Sequence, residues 1–122
     1  MTRVWRLRPR GEFERIRQNG HAWPHRFFVL IVLPQSDRPT APPRIGVAAG
    51  KKLGGAVTRN RYKRLLRAAV RQVYPNIPGG VDVILIARAP IAEADVAQLI
   101  VALAETLQRA KAWQRTTPIE EA

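Results

Sequence analysis

The apolar and polar positions at the start of the chain predict one short amphipathic helix. This helix follows Pro9, carries Phe13 and Ile16 on one face, and ends before Gly20, a residue type that often terminates helices. The preceding residues, 1–8, alternate arginines with apolar side chains and contain no helical repeat. We therefore expect a flexible basic arm followed by a helix.

Four later segments have the length and the β-branched composition of strands. They cover residues 21–23, 26–33, 44–49 and 81–87. The second segment is apolar at both parities, which predicts a strand that is covered on both faces. The first is a short edge strand that Pro24 stops. Proline or glycine accumulates at residues 34–43 and 50–55, which predicts loops there.

Two longer segments, residues 57–73 and 93–111, repeat apolar residues at helical spacing. The predicted order of elements is therefore αβββαβα, an α+β sandwich with helices on one sheet. No internal repeat or long linker divides residues 1–122, so we expect a single domain. The polar tail, residues 114–122, is expected to fray.

The charge of the chain is high and unevenly distributed. Its formal net charge is +12, from 21 Lys and Arg against 9 Asp and Glu. Residues 1–67 hold 16 of these cations and 3 of the acids, whereas residues 68–122 hold 5 and 6. Such a local excess favours a nucleic acid as partner, with a membrane surface as the weaker alternative. Neither a spanning segment nor a signal peptide is predicted, which favours a cytoplasmic protein.

The excess of positive charge is concentrated in residues 52–71, which contain seven cations and no acid. On a helical wheel the apolar residues form one side: Tyr62, Leu65, Leu66, Ala69, Val70 and Val73. Lys63, Arg64 and Arg67 lie on the opposite side. A solvated surface helix normally interleaves glutamates for pairing, so their absence favours a polyanion-binding face over a merely solvated one.

Residues with catalytic or metal-binding spacing are not apparent. No two acids are placed to share a substrate, and Asp82 is interpreted as a capping or turn carboxylate at the start of a strand. His21 and His25 lie in a segment broken by proline rather than on one helix, which is a weak metal signal. The absence of cysteine excludes disulfides, thiolate zinc sites and cysteine nucleophiles, and suits a reducing cytosol. We predict no catalytic residue, no metal site and no cofactor in the protein itself.

A glycine-rich segment precedes the basic helix and is partly similar to the phosphate-binding loop of NTPases. Only three residues separate Gly46 from Gly50, and Lys52 occupies the position of the required hydroxyl, so an NTPase is excluded. The free N–H groups near residues 56–58 are instead expected to receive a backbone phosphate. Among the aromatic residues, Phe13 lies on an arginine-rich helix and is the candidate for stacking on unpaired bases.

The stretch from Arg44 to Arg67 resembles the "RNR" signature, with its lead-in strand, of the protein component of bacterial ribonuclease P. It reads RIGVAAGKKLGGAVTRNRYKRLLR. Lesser matches, including Glu12-Phe13 and residues 82–88, extend the resemblance over residues 5–108. The resemblance implies an αβββαβα fold with a left-handed βαβ crossover, like a domain of ribosomal protein S5. That hand is unusual, and periodicity does not show it.

The resemblance also implies two RNA-binding surfaces. The first, termed here the basic ridge, would face the catalytic RNA subunit and comprises Lys51, Lys52, Arg59, Asn60, Arg61, Lys63, Arg64 and Arg67. The second, a cleft between the first helix and the sheet, would hold the single-stranded 5′ leader of precursor tRNA with Phe13, Arg17, Val29, Ile31 and Ala49. Arg17 and Ile31 stand where other members of the family carry rings, so we expect weaker stacking and a larger contribution from charge.

In this interpretation the chemistry belongs to the RNA and its Mg²⁺ ions, with one protein per RNA. The protein screens phosphate repulsion and holds the leader, so that the precursor binds more tightly. Two other functions are weighed against it: a structural ribosomal or RNA-chaperone protein that uses the same basic face, and a protein-only nuclease. Reconstitution with the catalytic RNA separates the three.

Overall fold

Helices and strands follow one another in the order αβββαβα in a computed structural model that describes residues 10–35 and 41–114. The helices are α1 (Arg10–Asn19), α2 (Ala56–Val73) and α3 (Val96–Arg109). The strands are β1 (His21–Pro24), β2 (Phe28–Pro34), β3 (Arg44–Ala48) and β4 (Val81–Ala87). The predicted types and order of the seven elements are confirmed. The predicted arm, residues 1–8, lies outside the described residues.

The four strands form one mixed sheet in the order β1-β2-β4-β3. Strand β2 is antiparallel to both β1 and β4, whereas β3 runs parallel to β4. Parallel neighbours require a crossover connection, and α2 supplies it between β3 and β4. The structure is thus an α+β domain, while the left hand of the crossover stays a prediction.

Helices cover both faces of this sheet. Successive side chains of a strand point to opposite sides, so each inner strand contributes to a hydrophobic cluster on either face. Leu30 of β2 and Leu85 of β4 belong to the main hydrophobic cluster, in which α2 and α3 bury their apolar sides. Ile31 and Ile84, one residue along each strand, form a smaller cluster with Ile16 of α1. The expectation that β2 is covered on both faces is confirmed, and α1 is the one helix on its side of the sheet among the described residues.

The corner between α1 and β1 fixes where α1 lies on the sheet. Gly20 follows the last residue of α1, and its N–H donates to the carbonyl oxygen of Ile16 at 2.8 Å. A Cβ at Gly20 would lie 2.7 Å from Ile31 Cγ2 and 2.9 Å from the Val32 carbonyl oxygen, which is too close for any larger residue. The glycine therefore does more than end the helix, since it lets the chain pass tightly against β2.

Helix α3 begins three residues later than predicted. Residues Ala89–Glu93 form a 3₁₀ turn, and Asp95 caps α3 by accepting a hydrogen bond from the Gln98 N–H at 2.8 Å. The Gln98 side chain accepts from the Asp95 N–H in return, which completes a capping box. None of the helices in residues 10–35 and 41–114 is both long and apolar enough to cross a bilayer.

The chain beyond α3 is held by the turn that follows α2. The Gln114 N–H donates to the Asn76 carbonyl oxygen at 2.7 Å, and the Asn76 side-chain amide donates to the Gln114 carbonyl oxygen at 3.0 Å. The first residue of the predicted frayed tail is therefore anchored. Residues 115–122 lie outside the described residues.

Candidate nucleic-acid interface

Helix α2 separates its apolar and cationic side chains onto opposite sides. Its buried residues are Tyr62, Leu66, Ala69, Val70 and Val73. Asn60, Arg61 and Arg64 are exposed on the other side, and Arg59, Lys63 and Arg67 are half-buried. The helix thus packs on the core with one side and carries cations on the other, as the helical wheel predicted.

A tight turn places the two lysines of the ridge directly before α2. Lys51 and Lys52 are exposed in the 3₁₀ turn Lys51–Leu53. Gly54 ends this turn with a φ of 137°, a conformation that favours glycine, and its N–H donates to the Lys51 carbonyl oxygen. Arg59 Nε donates to the Gly54 carbonyl oxygen at 3.1 Å, so this arginine also braces the turn.

The start of α2 lacks the groups that normally stabilise a helix N-terminus. Gly55 is the N-cap and makes no side-chain capping bond, and the first turn contains no acid. Negative side chains are favourable at this end of a helix because they interact with its dipole. The first turn thus has no acid, while Lys51 and Lys52 precede it.

Most cations of the ridge are not neutralised by acids within residues 10–35 and 41–114. Six of its side chains make no ion pair there: Lys51, Lys52, Arg59, Arg61, Lys63 and Arg64. Ion pairs are found instead on α1, between α1 and the sheet, and between Arg26 and Glu93. Mutual repulsion of these cations is therefore uncompensated, and an external polyanion would relieve it.

The cleft predicted from the sequence would lie beside α1, where part of the sheet is half-buried. Val29, Ile86 and Ala48 are neighbours across three strands and are all half-buried. Phe13 of α1 and Val29 pack against the small cluster, and Ile31 belongs to it with 5% of its surface exposed. The structure thus brings Phe13, Val29 and Ile31 together, with Ile31 as a floor residue.

Two cleft residues differ from their expected roles. Ala49 packs against the main cluster, on the opposite side of the sheet from Phe13. Because strand side chains alternate, Ala48, which pairs with Ile86, is the residue of β3 on the cleft side. Arg17 is exposed on α1, but its guanidinium lies 3.5 Å from Glu14, which offsets part of its charge.

An ion-pair network that sequence reasoning missed joins α1 to the sheet. Its centre is Asp82 of β4, which is 1% exposed. Arg44 of β3 donates to both carboxylate oxygens of Asp82, at 2.9 and 2.8 Å, and Gln35 donates to one of them at 2.6 Å. Arg15 of α1 lies 3.3 Å from the same carboxylate. The interpretation of Asp82 as a capping or turn carboxylate is therefore wrong.

Glu12 completes this network, which we term the Asp82 network: Glu12, Arg15, Gln35, Arg44 and Asp82. The Glu12 carboxylate accepts from Arg15 at 2.8 Å and from Arg44 at 3.1 Å. Two arginines thus share two carboxylates, and these four residues come from three elements. The signal in the sequence was weak, because only the fold brings residues 12, 44 and 82 together.

The stability of the Asp82 network should depend on pH through Glu12. The hydrogen bond from Arg15 holds the pKa of Glu12 below its ordinary value of 4.5. A carboxyl whose pKa is lower in the folded state stabilises the protein above its unfolded pKa, and this contribution is lost as the pH falls through the folded pKa. We expect the free energy of unfolding to fall more steeply below pH 4.5 in the native protein than in Glu12→Gln, measured by urea denaturation. Parallel pH profiles would contradict this.

His25 contributes to the local structure before β2. Nδ1 of His25 accepts a hydrogen bond from the Phe27 N–H at 3.0 Å, and its ring stacks on Phe28 with centroids 4.9 Å apart. Burial lowers the pKa of His25 from its ordinary value of 6.5. Within residues 10–35 and 41–114, no three His, Asp or Glu side chains are grouped as metal ligands would be.

A small α+β domain with several helix cations that have no acidic partner among the described residues belongs to the class of nucleic-acid-binding proteins. A family model described as Ribonuclease P matches residues 1–111. The chain belongs to the ribonuclease P protein family, whose members are subunits of a ribonucleoprotein endoribonuclease that processes tRNA.

Relatives and solved structures agree with this assignment. The ribonuclease P protein components of Herpetosiphon aurantiacus and a Roseiflexus species are 42% and 41% identical, over 99% and 93% of this chain and 97% and 92% of theirs. A mutant Staphylococcus aureus RNase P protein with defective mRNA degradation activity superposes with a TM-score of 0.77, at 31% identity, over 91% of this chain and 92% of that one. The RNase P protein of Thermotoga maritima gives a TM-score of 0.73, at 29% identity, over 85% and 96%.

Proposed function

We propose that this chain binds the catalytic RNA of ribonuclease P through the basic ridge and the 5′ leader of precursor tRNA through the cleft. In this role it assists the Mg²⁺-dependent removal of the leader in the cytoplasm, as one protein per RNA. The observation that carries the proposal is the face of α2, where exposed Arg61 and Arg64 have no acidic partner among the described residues. Phosphates at close spacing are the natural partners of such a surface.

The cleft supports the second half of the proposal. Its floor is apolar, Phe13 borders it from α1, and Arg17 lies one helical turn further along the same helix. Unpaired bases stack on aromatic and apolar surfaces, while cations nearby follow the phosphates. A single strand fits this combination better than a duplex, whose bases are already stacked.

The arrangement of acids favours chemistry carried by the RNA. Glu12 and Asp82 are brought together by the fold, yet both accept hydrogen bonds from Arg44 and are therefore poor ligands for a divalent cation. Mg²⁺ bound to the RNA subunit would supply the hydrolytic chemistry. The protein would contribute by screening phosphates and by holding the leader in place.

Reconstitution tests this function. We expect the protein alone to leave precursor tRNA uncleaved, and we expect the protein to restore cleavage by the catalytic RNA at a low Mg²⁺ concentration at which the RNA alone is inactive. An unrelated basic ribosomal protein is the control for general charge screening and should not replace it. Lack of stimulation would contradict the proposal, equal stimulation by the control would favour a general RNA chaperone, and cleavage by protein alone would favour a protein-only nuclease.

A further inference from the structure

Two contacts of different chemistry attach α1 to the sheet. Ile16 is the fully buried apolar residue among the described side chains of α1, and it contacts the small cluster near the middle of the sheet. Glu12 and Arg15 bind Arg44 and Asp82 within the Asp82 network, at the end of the sheet where β3 and β4 begin. The apolar packing of Ile16 and Phe13 is not directional and alone would let α1 rotate, whereas the polar attachment restrains that rotation.

We propose that the Asp82 network is a positioning device that sets the orientation of α1 and thereby the shape of the cleft. This inference rests on the proposed function, because it takes the cleft to be the site of the leader. Glu12 and Arg15 would be positioning residues, which act on the leader through Phe13 and Arg17 rather than by touching it.

Four residues of α1 form two rows along the helix, one in the Asp82 network and one beside the cleft. Residues three and four apart lie on one side of a helix, so Glu12 and Arg15 share one row while Phe13 and Arg17 share the next. A small rotation that moved the first row away from Asp82 would carry the second row across the cleft. Because base stacking and phosphate contacts depend on position, a misplacement on the order of 1 Å would weaken leader binding substantially.

The bonds of the network suit this role. Asp82 is buried and accepts from three side chains, so its carboxylate is held in one orientation. Arg44 is bidentate to it, which defines direction as well as distance. Arg15 and Arg44 then hold Glu12 between them, so α1 is oriented by two guanidiniums rather than by one flexible pair.

Glu12→Gln provides a test in which simple electrostatics and the proposal predict opposite signs. Removing an acid from a protein that binds a polyanion should strengthen binding if only net charge matters. If Glu12 positions α1, the same change should weaken binding of the leader. Glu14→Gln is the matched control, because Glu14 is on the same helix, loses the same charge, and pairs on the surface with Arg17 alone among the described residues.

The measurement is the affinity of the reconstituted holoenzyme for precursor tRNA divided by its affinity for mature tRNA. We expect Glu12→Gln to lower this ratio by roughly tenfold, with affinity for the catalytic RNA unchanged, and Glu14→Gln to leave the ratio unchanged or raise it. Arg15→Lys keeps the charge but cannot bridge Glu12 and Asp82 in the same way, so it should also lower the ratio, and it decides the question if Glu12→Gln does not fold.

Three outcomes would overturn the inference: a native ratio in both Glu12→Gln and Arg15→Lys, an equal fall in Glu14→Gln, or a parallel loss of affinity for all three RNAs, as general destabilisation would give. Failure of the proposed function is recognised separately. In that case the native protein would not favour precursor over mature tRNA, and Phe13→Ala would leave the two affinities in the same proportion.

Discussion

Replacing Arg61 and Arg64 together with alanine is expected to weaken association with the catalytic RNA by about tenfold to a hundredfold. Both side chains are exposed on α2, away from its buried face, and neither makes an ion pair among the described residues. Their loss should therefore leave the fold intact and remove contacts with phosphates. This expected loss of affinity is larger than the effect on binding expected for Glu12→Gln.

The dependence on salt identifies the mechanism of that loss. A protein that covers about 6–10 phosphates loses roughly 10³–10⁵-fold in affinity between about 50 and 200 mM salt, because binding releases condensed counterions. Removing two phosphate contacts should lower the slope of log affinity against log salt by about 2. The measurement is a salt series of binding titrations with purified protein and RNA.

A control with the same change in net charge makes this prediction specific. Arg26 and Arg109 are exposed cations outside the ridge, one before β2 and one at the end of α3. Their double replacement by alanine should leave the slope close to that of the native protein. If both double variants change the slope equally, overall charge rather than the ridge determines binding.

Replacing Asp82 with alanine is expected to lower the free energy of unfolding by about 3–5 kcal/mol. The carboxylate is buried and accepts from Arg15, Gln35 and Arg44, so its removal would take one acceptor from an amide and from two guanidiniums that then share Glu12 alone within the network. Urea denaturation of the whole chain measures the effect. An exposed ion pair would contribute less to the free energy of unfolding than this buried carboxylate does.

Asp95 offers a matched control for this stability experiment. It is also an aspartate with a defined structural role, but it is exposed and caps α3. Asp95→Ala should cost about 1 kcal/mol, as the loss of a helix N-cap usually does. A cost for Asp82→Ala no greater than that of Asp95→Ala would show that the network contributes little to stability.

Elements with a long, regular pattern were predictable from the sequence. Strand β4 and helix α2 agree with their predicted ranges to within one residue, because strong periodicity and flanking glycines or prolines define both. The start of α3 was misplaced because residues 93–95 are compatible with a helix, and only the capping box of Asp95 and Gln98 shows where it begins.

The site was predictable where one element carries it and was not where several elements meet. Most of the basic ridge lies on one helix, so the wheel was enough to separate the cationic side of α2 from its buried side. The cleft needs the register of β3 against β4, and an error of one residue exchanges Ala49 for Ala48. The Asp82 network joins residues that are distant in the sequence, and no local pattern encodes such a contact.

The uncapped start of α2 shows a compromise between folding and recognition. Serine or aspartate at position 55, with a glutamate in the turn after it, would strengthen the helix by several tenths of a kcal/mol or more. Any carboxylate introduced there would stand beside Lys51 and Lys52 and repel the same phosphates that the lysines attract. Gly55 is therefore a residue that a stability-guided redesign would wrongly replace, and thermostabilisation of this protein should leave it untouched.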